Sequence, residues 1–347
     1  MNDFDDEDMT NALEISEDVN RSMRIPRMIG AYCVANVLQE TKSSVVLTTL
    51  KTESNNEYVI KCIPYVYFIQ NKYGNELKFM KELDHPHIIK AVNDYIISKD
   101  EARFIAIVMH RANRDLFRYL YSDYKILSEL TSCKIISDVL EALSYLHERG
   151  IWHRDVKLEN ILIIKETEEG PFAVLGDFGL ACNFGFGFRE AEAVGTINYA
   201  APELIEKDIN SIDFKCRWKK KVSYCNKVDV FSLGIVLYQL LAGKHPFGDY
   251  KHYNIDKHLN GEIDFQHPVG FSVDDYNPFF HVSENAKNLI CKMVCKDVSQ
   301  RPTVDEVLNH PWFEEFGVNL KPAMTSNTEQ RINMNARFIF GNEIATS

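Results

Sequence analysis

Ile151-Trp152-His153-Arg154-Asp155-Val156-Lys157-Leu158-Glu159-Asn160-Ile161-Leu162 is the stretch from which the rest of the chain is read. It sets a carboxylate at Asp155, an ammonium two residues on at Lys157 and an amide five residues on at Asn160, all between apolar runs. A further apolar run ends at Asp177-Phe178-Gly179, and Ala201-Pro202-Glu203 follows. Any one of these tripeptides is a weak signal, but their order and spacing together are not a chance pattern. Phosphoryl transfer needs a carboxylate at the nucleophile and oxygen ligands for a hard divalent ion, and this set supplies both.

The bulk numbers narrow the field. A chain of 347 residues can bury a large core and makes one large or two medium domains. A formal net charge of -11 argues against a general binder of nucleic acid or of anionic membrane, so neither is an expected partner. The eight cysteines form no CxxC pair, which suits reduced, mostly buried thiols in an intracellular protein, cytoplasmic and/or nuclear. The start, MNDFDDEDMT, is acidic and lacks the apolar segment of a signal peptide. FSLGIVLYQLLAG is too short to span a bilayer.

Along the chain the patterning changes twice. Residues 1–27 carry eight acidic side chains before Asn20 and read as a solvated, disordered extension. From Ile29 to Met109 come short β-rich runs (YCVANVL, SSVVLTTL, YVIKCI, RFIAIVM) separated by turn-rich or charged segments. Among them Leu77, Met80 and Leu83 keep a helical spacing that stops near Pro86. The economical fold is a small antiparallel sheet crossed by one helix. From Leu116 onward the spacing is helical, with Ile135, Ile136, Leu140, Leu143 and Leu146 forming one stripe closed by Gly150. DVFSLGIVLYQLLAG reads as a buried helix ending at Gly243, SENAKNLICKM as an amphipathic one opened by Ser283, and HPWF as the close of the domain. Cys291 and Cys295, four residues apart in the amphipathic segment, read as packing thiols. The class is α+β.

Across residues 28–316 the whole pattern resembles the eukaryotic serine/threonine protein kinases. GTINYAAPELI, LLAGKHPF and HPWF are most similar to the calcium/calmodulin-dependent and AMP-activated kinase group. The resemblance implies a bilobal fold: a small β-rich lobe with one main helix at 28–109, a hinge at 110–115, a large mostly helical lobe at 116–316, and a tail at 317–347. It implies Mg-ATP as the phosphoryl donor and protein Ser or Thr hydroxyls as acceptors. Asp155 then stands at the acceptor hydroxyl, Lys157 near the transferred phosphate, and Asn160 and Asp177 on magnesium. Lys61 takes the place of the lysine on the nucleotide phosphates and Glu76 that of its helix partner. Leu38, Val46, Val59 and Leu162 border the adenine, Met109 is the gatekeeper, Arg111 lies in the hinge, and Asp115 contacts the ribose or caps the next helix. His153 packs on Phe178, Glu203 pairs with Arg301, and Asp229 anchors the catalytic-loop backbone. Thr196 with Lys157 favours Ser/Thr acceptors, while Asp115 and Glu159 favour a basic residue upstream of the target.

Three places depart from the family. The phosphate-covering turn should read G-x-G-x-x-G, yet Gln39, Thr41 and Ser44 occupy the glycine positions. Lys42 and the hydroxyls of Thr41, Ser43 and Ser44 are candidate substitutes, and weakened ATP binding is expected. A kinase-shaped scaffold or allosteric activator is the rival that this lid suggests. Second, a kinase with arginine before its catalytic aspartate usually neutralises that cation with a phosphate on the activation segment. Here no Ser, Thr or Tyr occurs from Leu180 to Val194. Glu192 occupies the expected position and is predicted to pair with Arg154, with Glu190 as the alternative and packing of Phe184, Phe186 and Phe188 as the rival account. Third, 25 residues separate Glu203 from Asp229, including FKCRWKKKVSY, which reads as an exposed basic loop or as a docking or nuclear-import patch.

Overall fold

The computed structural model describes residues 25–318, apart from 42–43, 55, 66–73, 100–101, 123–125, 169, 208–215, 220–221, 249–252 and 269–276. The acidic extension up to residue 24, the tail beyond 318, and Lys42 and Ser43 of the lid lie outside the described residues. The chain divides into two units, one of residues 1–84 with 89–111 and the other of 85–88 with 112–347.

The first unit is a sheet made of β1 (Met28–Ile29), β2 (Tyr32–Glu40), β3 (Val45–Lys51), β4 (Glu57–Pro64), β5 (Ala91–Lys99) and β6 (Ala102–His110), with α1 (Gly74–Glu82) after β4. Among the described residues the sheet order is β1-β2-β3-β4-β6-β5, antiparallel throughout. Its β-branched and aliphatic side chains build the core: Leu47, Ile60, Cys62, Ala106 and Val108 are fully buried. Burial pushes the Cys62 thiol up to about 12, so it stays protonated. The helix differs from the expected stripe. Leu77 is buried in neither the expected degree nor company: the inner face is made by Glu76, Phe79, Met80 and Leu83. That face follows the i, i+3, i+4, i+7 rule but contains a carboxylate, which a hydrophobic count passes over.

In the second unit β7 (Arg114–Asp115) and α2 (Leu116–Tyr121) precede α3 (Glu129–His147), β8 (Ile151–Trp152), β9 (Ile161–Thr167) and β10 (Gly170–Leu175). Short strands β11 (Cys182–Asn183), β12 (Arg189–Ala191), β13 (Ile205–Lys207), β14 (Cys216–Trp218) and β15 (Val222–Tyr224) lead to α4 (Lys227–Ala242). Helices α5 (Ile255–Asn260), α6 (Glu284–Met293), α7 (Val304–Leu308) and α8 (Pro311–Glu315) complete it. Ser128 caps α3 by accepting from the Thr131 amide at 3.1 Å, and the predicted stripe from Ile135 to Leu146 is fully buried. Helix α4 is buried all round, with no solvated face, and Gly243 ends it at φ 68°. Thr303 and Glu306 form a reciprocal capping box on α7, and His310 of HPWF caps the separate short helix α8, so two short helices end this unit. On α6, Cys291 is exposed and is not a packing thiol.

Two buried histidines make this unit acid-sensitive. His258 is fully buried between Phe231 and Phe247, donates to the Ala200 carbonyl at 2.8 Å, and is pushed by burial down to about 4. His85 is pushed down to about 3 by burial, then by the neighbouring His87 and Arg149 charges. Both have folded values below the ordinary one of about 6.5, so the unfolded chain binds more protons between these limits. Their contribution is complete above pH 6.5 and is lost as pH falls towards 4. Thermal melts should show the midpoint falling steadily across that window; a midpoint flat from about pH 7 to about pH 4.5 would contradict neutral burial of these rings.

Candidate active site

The catalytic loop is held from beneath by one buried carboxylate. Asp229 in the first turn of α4 accepts from the Arg154 amide at 2.7 Å, the His153 amide at 3.0 Å and the His147 ring at 2.8 Å. Burial alone pushes the Asp229 carboxyl up, but the His147 bond and charge, the His153 ring and the Arg154 amide outweigh it and hold the carboxyl below its usual range. These bonds fix Arg154 at φ 66°, a left-handed backbone that costs a non-glycine residue about 1–3 kcal/mol. Sequence reasoning misses His147, since a histidine at the end of an amphipathic helix reads as an ordinary last-turn residue. Its spacing of six before His153 is the only signal.

Above that support a set of polar side chains converges. Asp155 Oδ1 accepts from the Thr196 hydroxyl at 2.7 Å, and Oδ2 accepts from Lys157 Nζ at 2.7 Å and Asn160 Nδ2 at 2.9 Å. Lys157 also donates to Thr196 Oγ1 at 2.8 Å, and Asn160 Nδ2 to the Asp155 carbonyl at 2.8 Å. A carboxylate is thereby aimed at a hydroxyl beside an ammonium, an arrangement able to orient an incoming alcohol and receive its proton. Both donor bonds of the Asn160 amide go to Asp155, which leaves its oxygen as the atom suited to a hard cation. Asp177 sits at φ 56° and accepts from the Gly179 amide at 3.3 Å. His153 donates from Nε2 to the Gly176 carbonyl at 3.0 Å and meets the Phe178 ring edge-on at 5.2 Å, which places the Asp177 loop against the catalytic loop. Among the described residues no three His, Cys, Asp or Glu side chains cluster as a metal site. An Asn and an Asp completed by phosphate oxygens fit magnesium better than an all-protein cage does.

The activation segment corrects the sequence expectation. Arg154 forms no pair with Glu192 or Glu190. Its Nε donates to the Leu180 carbonyl at 2.7 Å, Nη1 to the Tyr224 hydroxyl at 3.3 Å and Nη2 to Cys182 Sγ at 2.9 Å, and its guanidinium lies 5.0 Å from the Phe184 ring centre. Glu190 and Glu192 are exposed, and Glu192 takes part through its backbone, whose carbonyl accepts from Tyr224 at 3.1 Å. A guanidinium offers several donors in one plane and a face for an aromatic ring, so neutral acceptors and a ring satisfy it without a carboxylate. The aromatic rival is half met: Phe184 packs on Trp152 at 4.8 Å, whereas Phe186 and Phe188 are 69% and 57% exposed. Phe184 and Gly185 both donate to the Gly150 carbonyl at 3.0 Å. There the glycines touch backbone to backbone: a Cβ on Gly150 (φ 67°) would stand 2.6 Å from the Gly185 Cα. Glu192→Gln is therefore expected to leave turnover within about twofold, as for an exposed charge, when steady-state rates are compared. A loss of about tenfold would restore the carboxylate account.

The lower brace is as expected. Glu203 and Arg301 form a bidentate pair at 2.8 and 3.0 Å. Asp115 caps α2, accepting from the Arg118 amide at 2.7 Å, and pairs in β7 with Leu162 of β9. The basic segment after Glu203 is not a plain exposed loop. It contributes β14, paired with β13, and β15, paired with β12 of the activation segment.

In the first unit Lys61 Nζ and Glu76 Oε1 meet at 2.7 Å, with the glutamate 1% exposed. Val59 pairs with Met109 and Val46 with Lys61, so these positions share one stretch of sheet, while Leu38 is exposed. The strand carrying Met109 runs through His110, and Arg111 bridges to Glu57 at 2.9 Å. The lid turn is held by its own side chains. Thr41 Oγ1 donates to the Ser44 carbonyl at 3.1 Å and accepts from the Ser44 amide at 3.0 Å. The Thr41 hydroxyl expected to stand in for glycine amides is thus occupied within the turn.

Known proteins are similar to this chain in sequence. Residues 32–313 match the protein kinase domain family. The chain is 32% identical over 282 residues to the meiosis-specific serine/threonine-protein kinase mek1 of Schizosaccharomyces pombe, covering 80% of this chain and 58% of that protein. It is 30% identical over 275 residues to the calcium/calmodulin-dependent protein kinase type 1 of Caenorhabditis briggsae, covering 78% and 69%. It is 32% identical over 244 residues to calcium-dependent protein kinase 5 of Plasmodium falciparum, covering 70% and 38%. The chain thus matches less than two thirds of the first and third of these relatives. The expected likeness to the calcium/calmodulin-dependent group agrees with these findings. Because the match runs from β2 into α8 and takes in both the Lys61–Glu76 pair and the Asp155 loop, the chain belongs to the protein kinase domain family.

Proposed function

We propose that this chain transfers the γ-phosphoryl group of ATP to Ser or Thr hydroxyls of proteins, and does so without phosphate on its activation segment. The observation that carries the reading is the Asp155 carboxylate, hydrogen-bonded to a threonine hydroxyl and flanked by Lys157. An acceptor hydroxyl taking the place of Thr196 Oγ1 would be oriented for attack, with its proton passing to Asp155. Lys157 would offset charge on the group in transfer, and Lys61, fixed by Glu76, charge on the remaining phosphates. Asn160 and Asp177 would hold magnesium, which when bound neutralises phosphate charge. Val46 and Val59 would border the adenine, with the Met109–Arg111 stretch bonding its edge through backbone.

Independence from phosphorylation rests on Arg154, whose donors are met by neutral groups, and on a segment without hydroxyls from Leu180 to Val194. The self-bonded lid sets ATP affinity at the weak end for the family. Exposed Glu159, with Asp115 in the same unit, supports a preference for Arg or Lys upstream of the target. The test is phosphate transfer from labelled ATP to a Ser/Thr peptide by recombinant protein treated with phosphatase. Magnesium-dependent transfer by the treated protein is the expected result. Loss of all transfer after treatment would overturn independence, and absence of transfer before and after would overturn the activity.

A further inference from the structure

We propose that strands β14 and β15, between Glu203 and Asp229, are a built-in brace for the activation segment, and that Tyr224 is a positioning residue for Arg154. This deepens the reading above and rests on it for its effect on rate, although the brace can be tested without any activity. Strand β15 pairs with the activation segment residue by residue: Tyr224 opposite Arg189, Ser223 opposite Glu190, Val222 opposite Ala191. Tyr224 is fully buried, and its ring lies 5.5 Å from that of Trp152. Its hydroxyl accepts from Arg154 Nη1 and donates to the Glu192 carbonyl, joining the arginine before Asp155 to the far side of the segment.

The other strand of the insertion works on the next stretch. Lys219 donates from its amide to the Leu204 carbonyl at 3.0 Å and from Nζ to the Glu203 carbonyl at 3.0 Å. Arg217 pairs with Glu206 at 3.0 Å. A side chain on Gly195 (φ 124°) would meet the Arg154 carbonyl at 2.5 Å and the Trp218 ring at 3.7 Å, so Trp218 flanks the residue just before Thr196. Arg217 and Lys219 of the basic run are thus engaged with their own neighbourhood. Shortly after β15, α4 begins and carries Asp229 to the backbone of His153 and Arg154. A phosphate would bring a charge of about -1.5 to -2 and three acceptors to Arg154. The brace brings a neutral hydroxyl and a strand, neither of which a phosphatase can remove.

Tyr224→Phe keeps the ring and removes both hydroxyl bonds. It should lower kcat about tenfold, the scale of one lost contact of this kind, with KM for ATP unchanged and the melting midpoint lowered by only a few degrees. It should also speed trypsin cleavage after exposed Arg189 several-fold. In an Arg154→Lys background the same change should cost nothing further, because Tyr224 acts through Arg154. Ser223→Pro, which strikes the strand pairing from an exposed position, should likewise speed cleavage after Arg189. If Tyr224→Phe and Ser223→Pro both leave that cleavage unchanged, or if Tyr224→Phe leaves an active wild type at full rate, the brace is refuted and the kinase reading stands. Faster cleavage in the variants of a wild type that transfers no phosphate would refute the kinase reading and keep the brace.

Discussion

Asp155→Asn is expected to lower phosphate transfer by about a thousandfold, within the range that general acid–base groups supply, while Mg-ATP still binds. The reason lies in the bonds around that carboxylate. Oδ2 already receives two donors, Lys157 Nζ and Asn160 Nδ2, so an amide placed there turns its oxygen towards them. Its NH2 then faces the position of the Thr196 hydroxyl, where it can donate but cannot take a proton. Orientation by packing survives and the base does not. Transfer from labelled ATP gives the rate, and calorimetric titration gives the binding. A variant that keeps more than about a tenth of the wild-type rate would remove Asp155 from its assigned role.

The second large effect concerns stability. Arg301 is fully buried, its guanidinium bonded to both Glu203 oxygens and to the Cys295 carbonyl at 2.9 Å, and lying 5.0 Å from the Phe231 ring centre. Glu203→Gln keeps the shape and removes the counter-charge, leaving a cation without compensation in the interior. Such losses cost about 3–5 kcal/mol. At roughly 2–4 °C per kcal/mol for a domain of this size, the melting midpoint should fall by about 6–20 °C. A fall of under about 3 °C would mean that the carbonyls and the ring satisfy Arg301 by themselves.

Much of this architecture is legible in the sequence because its signals are local. The α3 stripe, the largely apolar α4 and its Gly243 stop, and the capping residue Ser283 each declare themselves within one turn or a few. The Lys61–Glu76 and Glu203–Arg301 pairs are found by family resemblance, and the charges do meet. The features that stay hidden have a common physical cause. Strands β12 and β15 are three residues each and join segments far apart in sequence, too short to carry a period. Tyr224 reads as one more core aromatic, since nothing in Ser223-Tyr224-Cys225 reveals a hydroxyl facing a guanidinium. Charge matching assigns Arg154 a carboxylate, whereas its geometry is satisfied by number of acceptors and by ring contact. A hydrophobic count draws Leu77 into a stripe whose inner position belongs to Glu76, because a paired carboxylate is invisible to such a pattern.

The burial of α4 bears on how this protein would fail. Its carboxylate, Asp229, holds the catalytic loop from within a helix that has no solvated face, so the loop has little freedom to open while that helix remains packed. Substitutions that weaken the distant core would then change how many molecules are folded more than how fast each folded molecule works. Such a loss would present as low abundance with a normal specific rate, a shortfall that cellular proteolysis would amplify and a purified sample would conceal.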